Sequence, residues 1–517
     1  MKYFNLLALI FLVLITKAQT TDQPKADASV PMYVQKWLTE KTAFKKRKAI
    51  QKGFFLRDSI KIVGYIKGYD KNAKYSSGII YHGNNITRED LPTIVRIYKD
   101  GRFECGLPAI HPMSSSIHFN DQSIKFYAEP GTTTGIILGD KTTEYLGVNK
   151  AINDQLAAIE PPRPDYNNLD EYRKTQTPND FKQAQLRNWE STREKVDSTM
   201  EVKQTSERVR KLVANQVDLT YAVYLFDYEM SRTYYQKQAP DNEILKLPMP
   251  ENYFDFLSKI DLDDQLLLVS NDFSTFVNRF EFSPVFERKI LFQNQKTKGF
   301  LKLDSAYLSK NKKVNLVYDI AKLRSLTSDF KFYEYKKRSF AQETTDLLKT
   351  VQEPFLLREM DRMYDKYKIG NVAYDLPNTT AAAVFKKIIN PIKGKVLIVD
   401  FWAENCGPCR AGIESSLEFR KKYKDNPDFD FVYVTDSENT GAAFYDDYIK
   451  KNLMLNTHRI TADEYLALRE LFRFNGIPRY VLVTEEGKIQ DDNFASYNMK
   501  SEFQKYFPGK FPIDYWK

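Results

Sequence analysis

The chain of 517 residues is poor in cysteine and histidine, with three of the first (Cys105, Cys406 and Cys409) and four of the second. Three cysteines are too few for a scaffold held together by disulfides. The histidines lack the spacing of metal ligands, which argues against a zinc hydrolase, so we predict neither a metal nor a cofactor. Glycine (20 residues) and proline (22 residues) are modest, which excludes collagen-like and low-complexity proteins.

An excess of charge of one sign is also missing. The 77 basic and 68 acidic residues give a net charge of +9 that is spread along a long chain. We therefore predict no nucleic-acid partner and no binding to a membrane surface. Hydrophobic residues make up 42% of the chain, which is enough to build packed cores. At roughly 100–200 residues per domain, the length predicts about three or four domains.

Residues 1–18 have the pattern of a secretory signal peptide. Lys2 precedes a ten-residue apolar run, and Thr16-Lys17-Ala18 places small residues before a cleavage site after Ala18. An uncleaved anchor is the alternative, but a bilayer span needs about 20 apolar residues. No later run is long enough to span. We predict a chain that works outside the cytosol without a membrane span after cleavage, where disulfides persist.

Residues 53–150 follow a polar, basic lead-in (19–52) and alternate between apolar and polar positions, as short strands do. The alternation is clearest at Ile60, Ile62, Gly64 and Ile66, and turn signals occur at Lys99–Arg102 and Glu129–Thr132. The pattern predicts an all-β, sandwich-like domain. Cys105 lies on one of its strands. A lone cysteine there is usually a small buried residue, and the alternative is a reactive thiol.

Residues 151–370 change to helical spacing of apolar residues. Examples are Val209, Leu212, Val213, Val217, Leu347, Leu348, Val351 and Phe355. We predict a mostly helical domain. The tyrosine-rich stretch 221–228 has two interpretations, a helix packed into the core and a ligand groove, of which core packing is the commoner.

Residues 371–517 carry the chemistry, around Cys406-Gly407-Pro408-Cys409. An apolar run (395–402) predicts a buried central strand, and a helix follows the cysteines. Two cysteines three apart at a helix start can close a disulfide. The free N–H groups and the helix dipole favour the thiolate of Cys406. Cys409, one turn further, is expected to be buried and to resolve the mixed disulfide.

Asp400 is a carboxylate within the otherwise apolar strand. Burial should raise its pKa and make it a proton acceptor for Cys409. The alternative is a structural carboxylate paired with a lysine or water. Trp402 is expected to pack beside the site. Pro478, which follows Gly476-Ile477 and opens a strand, is a candidate cis-proline that would turn the backbone of Ile477 toward an extended substrate.

A CxxC pair alone is also half of a zinc site, but no second pair exists in the chain. The order of apolar strand, Asp400, Trp402, cysteine pair, helix and Gly476–Pro478 closely resembles the thioredoxin superfamily. The long spacing from Cys409 to Pro478, the leader and the N-terminal extension are similar to the TlpA/ResA-like thiol–disulfide oxidoreductases of bacterial envelopes. Residues 53–150 resemble, more loosely, the N-terminal domains of multidomain proteins in that group.

The resemblance implies a thioredoxin fold for 371–517, with a mixed central sheet and helices on both faces. It implies Cys406 as nucleophile, Cys409 as resolving thiol and Pro478 as cis-proline. The residues expected to contact substrate are Trp402, Asn405, Gly407, Pro408 and Ile477. Thioredoxins usually carry a tryptophan at the position of Asn405. Its absence removes an apolar surface beside the nucleophile and argues against general thioredoxin-like substrate recognition.

The function expected from these features is reduction of protein disulfides in the periplasm or cell envelope, with electrons from a membrane thiol donor. The Gly-Pro dipeptide resembles that of reducing thioredoxins, near about −270 mV, rather than strong oxidants near about −120 mV. One alternative is a disulfide oxidant or isomerase. Another is a binding protein whose β-rich and helical regions capture a ligand or partner, with a redox-gated thioredoxin module.

Overall fold

The computed structural model describes residues 29–43, 53–70, 72, 75–120, 122–283, 285–286, 316–332, 348–368 and 372–516. The predicted signal peptide (1–18) and most of the predicted lead-in (19–52) lie outside these residues. Within the described part of the chain, no helix combines the length and the apolar character that crossing a membrane requires.

The N-terminal part is rich in β-structure. A helix, α1 (Met32–Thr42), precedes ten strands: β1 (Asp58–Ile66), β2 (Ser77–Ile80), β3 (Gly83–Asn84), β4 (Glu89–Asp90), β5 (Thr93–Ile97), β6 (Arg102–Ala109), β7 (Met113–Phe119), β8 (Gln122–Ala128), β9 (Thr133–Leu138) and β10 (Thr143–Leu146). Eight of them form one sheet in the order β10-β9-β1-β6-β5-β2-β7-β8, while β3 and β4 form a separate hairpin. The predicted β-rich region is confirmed.

This eight-stranded sheet curls around its own core. Alternate residues such as Ile60, Ile62 and Phe103 are fully buried on the inner side, because successive side chains of a strand point to opposite faces. The hydroxyl of Tyr145 on β10 donates to the carbonyl oxygen of Lys125 on β8 (2.7 Å), which links the two outer strands. The strands therefore belong to one open sheet whose two edge strands are brought together by this side-chain bond.

The middle of the chain is helical, as predicted. Its helices are α2 (Lys150–Ala157), α3 (Leu169–Thr175), α4 (Pro178–Val202), α5 (Glu207–Met230), α6 (Arg232–Gln238), α7 (Glu243–Lys246), α8 (Phe273–Phe282), α9 (Leu316–Phe332) and α10 (Pro354–Lys368), with 3₁₀ turns at Tyr166–Asn168, Tyr253–Lys259 and Gln265–Val269. The tyrosine-rich stretch lies in α5, where Tyr224 and Tyr228 are fully buried. Core packing is thus the main role of this stretch, although Tyr221 and Tyr224 also line a polar cavity of about 270 Å³.

The C-terminal part is an α/β unit built on a five-stranded mixed sheet. The strands are β11 (Val396–Phe401), β12 (Phe429–Asp436), β13 (Asn456–Ile460), β14 (Arg479–Val483) and β15 (Ile489–Asp491), in the order β13-β12-β11-β14-β15. The helices are α11 (Thr380–Ile389), α12 (Gly407–Ser415), α13 (Leu417–Lys422), α14 (Ala442–Lys451), α15 (Ala462–Leu471) and α16 (Met499–Tyr506), with 3₁₀ turns at Asn390–Ile392 and Ser496–Asn498. The predicted mixed central sheet is confirmed.

Strand β11 is buried along its whole length because helices cover both faces of this sheet. Leu397, Val399 and Phe401 pack with side chains of α11 and α15 on one face. Val396 and Ile398 pack with side chains of α16 on the other. Its neighbours, β12 in parallel and β14 in antiparallel orientation, satisfy the backbone on both sides.

Several contacts join the three regions, and two of them involve the segment between β3 and β4 and helix α15. The segment that joins β3 to β4 enters the helical region, where Ile86 is fully buried and Arg88 pairs with Glu281. Helix α15 packs against β2 and β5 of the β-rich sheet. There the carboxylate of Asp463 accepts hydrogen bonds from Ser76 and that of Glu470 accepts one from the backbone N–H of Ile94 (2.8 Å).

The core of the β-rich sheet predicts a sharp difference between two glycines on paired strands. A Cβ at Gly64 would overlap the ring of Phe103 and the carbonyl oxygen of Ile136, whereas a Cβ at Gly106 would meet nothing within 4 Å. We expect Gly64→Ala to lower the free energy of unfolding by about 1–3 kcal/mol through overpacking. Denaturant titration measures the change. Gly106→Ala is the matched control and should be neutral or slightly stabilising; equal effects would contradict the packing described for β1.

Candidate active site

Cys406 is the residue that caps helix α12. The backbone N–H of Cys409 donates to the Cys406 sulfur (3.2 Å), and the N–H of Arg410 donates to the Cys406 carbonyl oxygen (3.1 Å). Pro408 lies in the first turn, where its missing N–H leaves no bond unmade. The two cysteines are joined in a disulfide with their Cα atoms 5.3 Å apart. In the reduced protein, this N–H and the helix dipole would stabilise a thiolate on Cys406.

The two cysteines differ in burial. Cys406 keeps 8% of its surface exposed and Cys409 keeps none. Asn405, Gly407 and Pro408 are all exposed and surround Cys406. A partner can therefore approach the first cysteine and its neighbours, while the second is enclosed.

Cys105 lies on β6, opposite Ile62 of β1, and packs against the core of the β-rich sheet. Burial raises the pKa of its thiol to about 12, which leaves very little thiolate at neutral pH. The side chain of Cys105 is half-buried, and its raised pKa favours the interpretation of a packed residue over that of a reactive thiol.

Asp400 lies on the sheet face that α12 covers. Along β11 the even-numbered positions point to this face, and Asp400 pairs across the sheet with Tyr433 on β12 and Tyr480 on β14. Tyr433 in turn packs in one cluster with both cysteines. The structure thus places the carboxylate beneath the helix that begins with the cysteine pair.

The environment of Asp400 favours its neutral form. The side chain is buried, and its Oδ1 accepts no hydrogen bond from any described residue. Burial raises the pKa of Asp400 to about 8, and the positive charge of Arg420 opposes part of that rise. At neutral pH a minor fraction of the molecules therefore carries the carboxylate, which can accept a proton.

Arg420 is a functional candidate that the sequence patterns did not identify. Its buried guanidinium donates to the carbonyl oxygens of Ile413 (2.7 Å) and Asn452 (2.6 Å) and lies 5.8 Å from the ring centroid of Tyr433. Nothing in the short helix α13 distinguishes this arginine from the lysines beside it. Its positive charge acts on Asp400 through space and lowers the pKa of that carboxyl, but no ion pair joins the two side chains among the described contacts.

Trp402 forms a wall behind the cysteines. It is fully buried and stacks on the rings of Tyr448 (centroids 5.3 Å apart) and Tyr445 (6.4 Å). The expected packing role fits this position. Because the oxidised structure exposes no surface of Trp402, its role as a substrate contact stays a prediction.

The loop before β14 lies against the site. The Ile477–Pro478 peptide bond is cis, as the sequence suggested, and the side chain of Ile477 packs on the cluster that contains Cys406. Ile477 is half-buried and Pro478 is exposed. The structure thus brings together Cys406, Cys409, Asp400 and this loop.

A second supporting loop was not predicted. The backbone N–H of Gly441 donates to the carboxylate of Glu404 (2.9 Å), and the N–H of Glu404 donates to the hydroxyl of Thr440 (3.1 Å). These bonds fix the segment between β11 and Cys406. They join positions about 36 residues apart in sequence, and no local pattern announces them.

The comparison with known proteins concerns this same region. A family model described as thioredoxin-like matches residues 394–489. Residues 394–489 are a thioredoxin-like domain. This domain contains the cysteine pair, Asp400 and Pro478.

The relatives of the thioredoxin-like domain include a bacterial and a plant protein. The chain is 27% identical over 124 residues to the thioredoxin-like protein YneN of Bacillus subtilis, a match that covers 23% of this chain and 68% of that protein. It is 28% identical over 105 residues to the probable nucleoredoxin 1 of Arabidopsis thaliana, a match that covers 20% of this chain and 18% of the plant protein. The chain therefore spans less than a fifth of that plant relative.

Solved structures match the same part of the chain. The thioredoxin domain of a thiol-disulfide oxidoreductase from Bacteroides vulgatus is 26% identical, with 22% of this chain and 83% of that chain covered and a TM-score of 0.19. A thiol:disulfide interchange protein from Bacteroides sp. is 25% identical, with 25% of this chain and 84% of that chain covered and a TM-score of 0.20. These matches concern about a quarter of the chain.

Burial of Asp400 predicts that its charge weakens the fold. The pKa of about 8 lies above the value of about 3.9 in an unfolded chain, so the folded state holds the proton more tightly. Stability therefore falls as pH rises from 4 to 8. In the oxidised protein, Asp400→Asn should add nothing at pH 4 and on the order of 4 kcal/mol to the free energy of unfolding at pH 7. Denaturant titrations across this range measure it.

Asp436 provides the control for this experiment. It is a buried carboxylate at the end of the neighbouring strand, but it accepts hydrogen bonds from the backbone N–H groups of Glu438 and Asn439 (both 2.9 Å). Asp436→Asn should therefore destabilise the protein near pH 7, because it weakens satisfied bonds. A gain in stability that is the same for both variants, or independent of pH, would contradict the role of burial at Asp400.

Proposed function

We propose that the chain is a thiol–disulfide oxidoreductase that reduces disulfides of other proteins through Cys406 and Cys409. The observation that carries this proposal is the disulfide at the start of α12, where Cys406 is the partly exposed cap and Cys409 is enclosed. The exposed residues beside Cys406 and the cis-proline loop supply a surface for a protein substrate.

The reaction runs in two exchange steps. The thiolate of Cys406 attacks one sulfur of the substrate disulfide, forms a mixed disulfide and releases the other sulfur as a thiolate that takes up a proton. Cys409 then attacks the Cys406 sulfur and releases the second substrate thiol. The substrate gains two electrons and two protons, and the cysteine pair is left as the disulfide. An electron donor must then reduce this disulfide.

Asp400 serves the second step. Cys409 must lose its proton before it can attack, and the buried carboxylate is the acceptor on the sheet face beneath its helix. The raised pKa of Asp400 suits this task, because a base with a pKa near the working pH combines availability with proton affinity.

Substrate is held as an extended strand in this proposal. The backbone of Ile477 pairs with the segment around the substrate disulfide, as one strand pairs with another. Asn405, Gly407 and Pro408 contact that segment from the other side of Cys406, and Trp402 supports this surface from behind.

The proposal also covers the direction of electron transfer and the compartment in which the protein works. The Gly407-Pro408 dipeptide favours a reductant, and residues 1–18 favour export as a cleaved signal peptide. A reductant in the periplasm or cell envelope needs electrons from a membrane thiol donor. Its substrates are oxidised cysteines of exported proteins.

A redox titration of the mature protein tests the direction. The Cys406–Cys409 pair is equilibrated against dithiothreitol and glutathione buffers, and thiols are counted by mass, with Cys406→Ser as the baseline. A reduction potential near about −270 mV is expected for a reductase. A value at or above about −180 mV would overturn that direction and favour an isomerase or oxidant.

Trapping tests the assigned order of the two cysteines. The Cys409→Ser variant is first reduced and then mixed with insulin. It should accumulate a mixed disulfide between Cys406 and insulin that a reductant cleaves, because the second exchange step is blocked. Cys406→Ser should trap none, since the enclosed Cys409 cannot reach the substrate. Non-reducing electrophoresis and mass spectrometry of the linked peptide read the result. Trapping by Cys406→Ser alone would reverse the assignment.

A further inference from the structure

The segment before the cis-proline is bonded to the β-rich region. Asn475, three residues before Pro478, donates its backbone N–H to one carboxylate oxygen of Asp90 (3.0 Å) and its side-chain amide to the other (3.1 Å). The same amide also donates to the carbonyl oxygen of His82 (2.8 Å). Asp90 lies on β4, 385 positions earlier in the chain. A residue outside the thioredoxin-like domain therefore holds the entrance of its cis-proline loop.

Asp90 also acts on the far side of the proline. Arg479, the residue after Pro478, is largely buried and donates to the carbonyl oxygen of Phe472 (2.9 Å). Burial lowers the pKa of Arg479, and the negative charges of Asp492 and Asp90 oppose that effect. The carboxylate of Asp90 is thus bonded to the chain before the cis peptide bond, and its negative charge favours the charged form of Arg479 after it.

The hairpin that carries Asp90 is itself fixed by the helical region. Its other strand supplies Asn84, whose side-chain amide donates to Glu359 of α10 (2.9 Å). Glu89, next to Asp90, pairs with Arg362 and with Lys366 (3.1 Å) of the same helix. Because burial of Ile86 in the helical core anchors the tip, the carboxylate has a firm support.

We propose that Asp90 is a positioning residue for substrate binding, through which the β-rich hairpin completes the redox site of the thioredoxin-like domain. By holding Asn475, it fixes the backbone of Ile477 in the orientation that an extended polypeptide needs. The inference rests on the proposed function and narrows its substrate class to disulfides within extended polypeptide segments. Small disulfides make no strand pairing and do not depend on Asp90.

A general role in holding the regions together is the competing explanation, and Asp463 separates the two. Asp463 at the start of α15 is a second carboxylate in the same interface. It accepts hydrogen bonds from the N–H (2.8 Å) and hydroxyl (2.7 Å) of Ser76 and from the hydroxyl of Ser77 (2.5 Å). Asp463 accepts about as many hydrogen bonds as Asp90 does, but none of its described bonds involves a residue of the 475–479 loop.

The experiment compares Asp90→Ala with Asp463→Ala in the mature full-length protein. Reduction of insulin in the presence of dithiothreitol gives KM and kcat for a polypeptide substrate. Reduction of the small aromatic disulfide DTNB gives the rate of thiol–disulfide exchange with a substrate that has no polypeptide chain. We expect Asp90→Ala to raise KM for insulin about tenfold, the scale of losing a charged hydrogen-bond partner, with DTNB reduction unchanged. Asp463→Ala should leave both reactions unchanged. Equal KM values for the two variants, or an equal loss of both reactions in Asp90→Ala, would overturn the proposal.

Amide hydrogen exchange gives a readout that does not depend on activity. Residues 475–480 should exchange faster in Asp90→Ala than in Asp463→Ala, and equal rates would overturn the positioning role. If the wild-type protein does not reduce insulin, the proposed function fails while exchange still decides the role of Asp90. Asn475→Ala removes the same bonds from the loop side and replaces Asp90→Ala if that variant does not fold.

Discussion

The hydrogen bond from the Cys409 N–H to the Cys406 sulfur is the interaction on which the redox site depends. It makes a cysteine the cap of α12. The negative charge of a Cys406 thiolate, which the exchange reaction needs, therefore also accepts a hydrogen bond from a free N–H group at the start of the helix. Strand β11 fixes the position of Cys406, because the strand is buried on both faces and hydrogen-bonded on both edges. The short segment from Trp402 to Cys406 then has little freedom, since stacked rings and the Glu404 bonds hold it.

Two ionisable side chains are buried around the cysteine pair, although burying such groups costs folding free energy. Asp400 and Arg420 are ionisable residues in an apolar layer, and neither contributes to packing as well as an apolar residue of similar size would. Their retention near the cysteine pair is consistent with a task that needs a proton acceptor of raised pKa. In the β-rich region, by contrast, desolvation raises the pKa of the half-buried Cys105 and disfavours its thiolate.

The sequence allowed the local parts of this structure to be predicted and left the long-range parts out of reach. The apolar run of β11, the helix after the cysteines and the cis-proline were anticipated, since each depends on neighbouring residues. Strand β13 was missed because it is a half-buried edge strand without an apolar run. Arg420 and the contact between Asp90 and Asn475 were missed for another reason. Hydrogen bonds across tens or hundreds of residues leave no periodicity in the chain.

The hairpin of β3 and β4 bears on how portable the catalytic unit is. A domain that ends in a self-contained surface can be moved between chains by recombination without further change. Here the loop beside the cysteines donates hydrogen bonds to Asp90, and the hairpin that carries Asp90 is anchored in a third region. In a copy of the thioredoxin-like domain moved to another chain, the N–H groups of Asn475 would face water instead of the carboxylate of Asp90. The three regions are therefore expected to be inherited together.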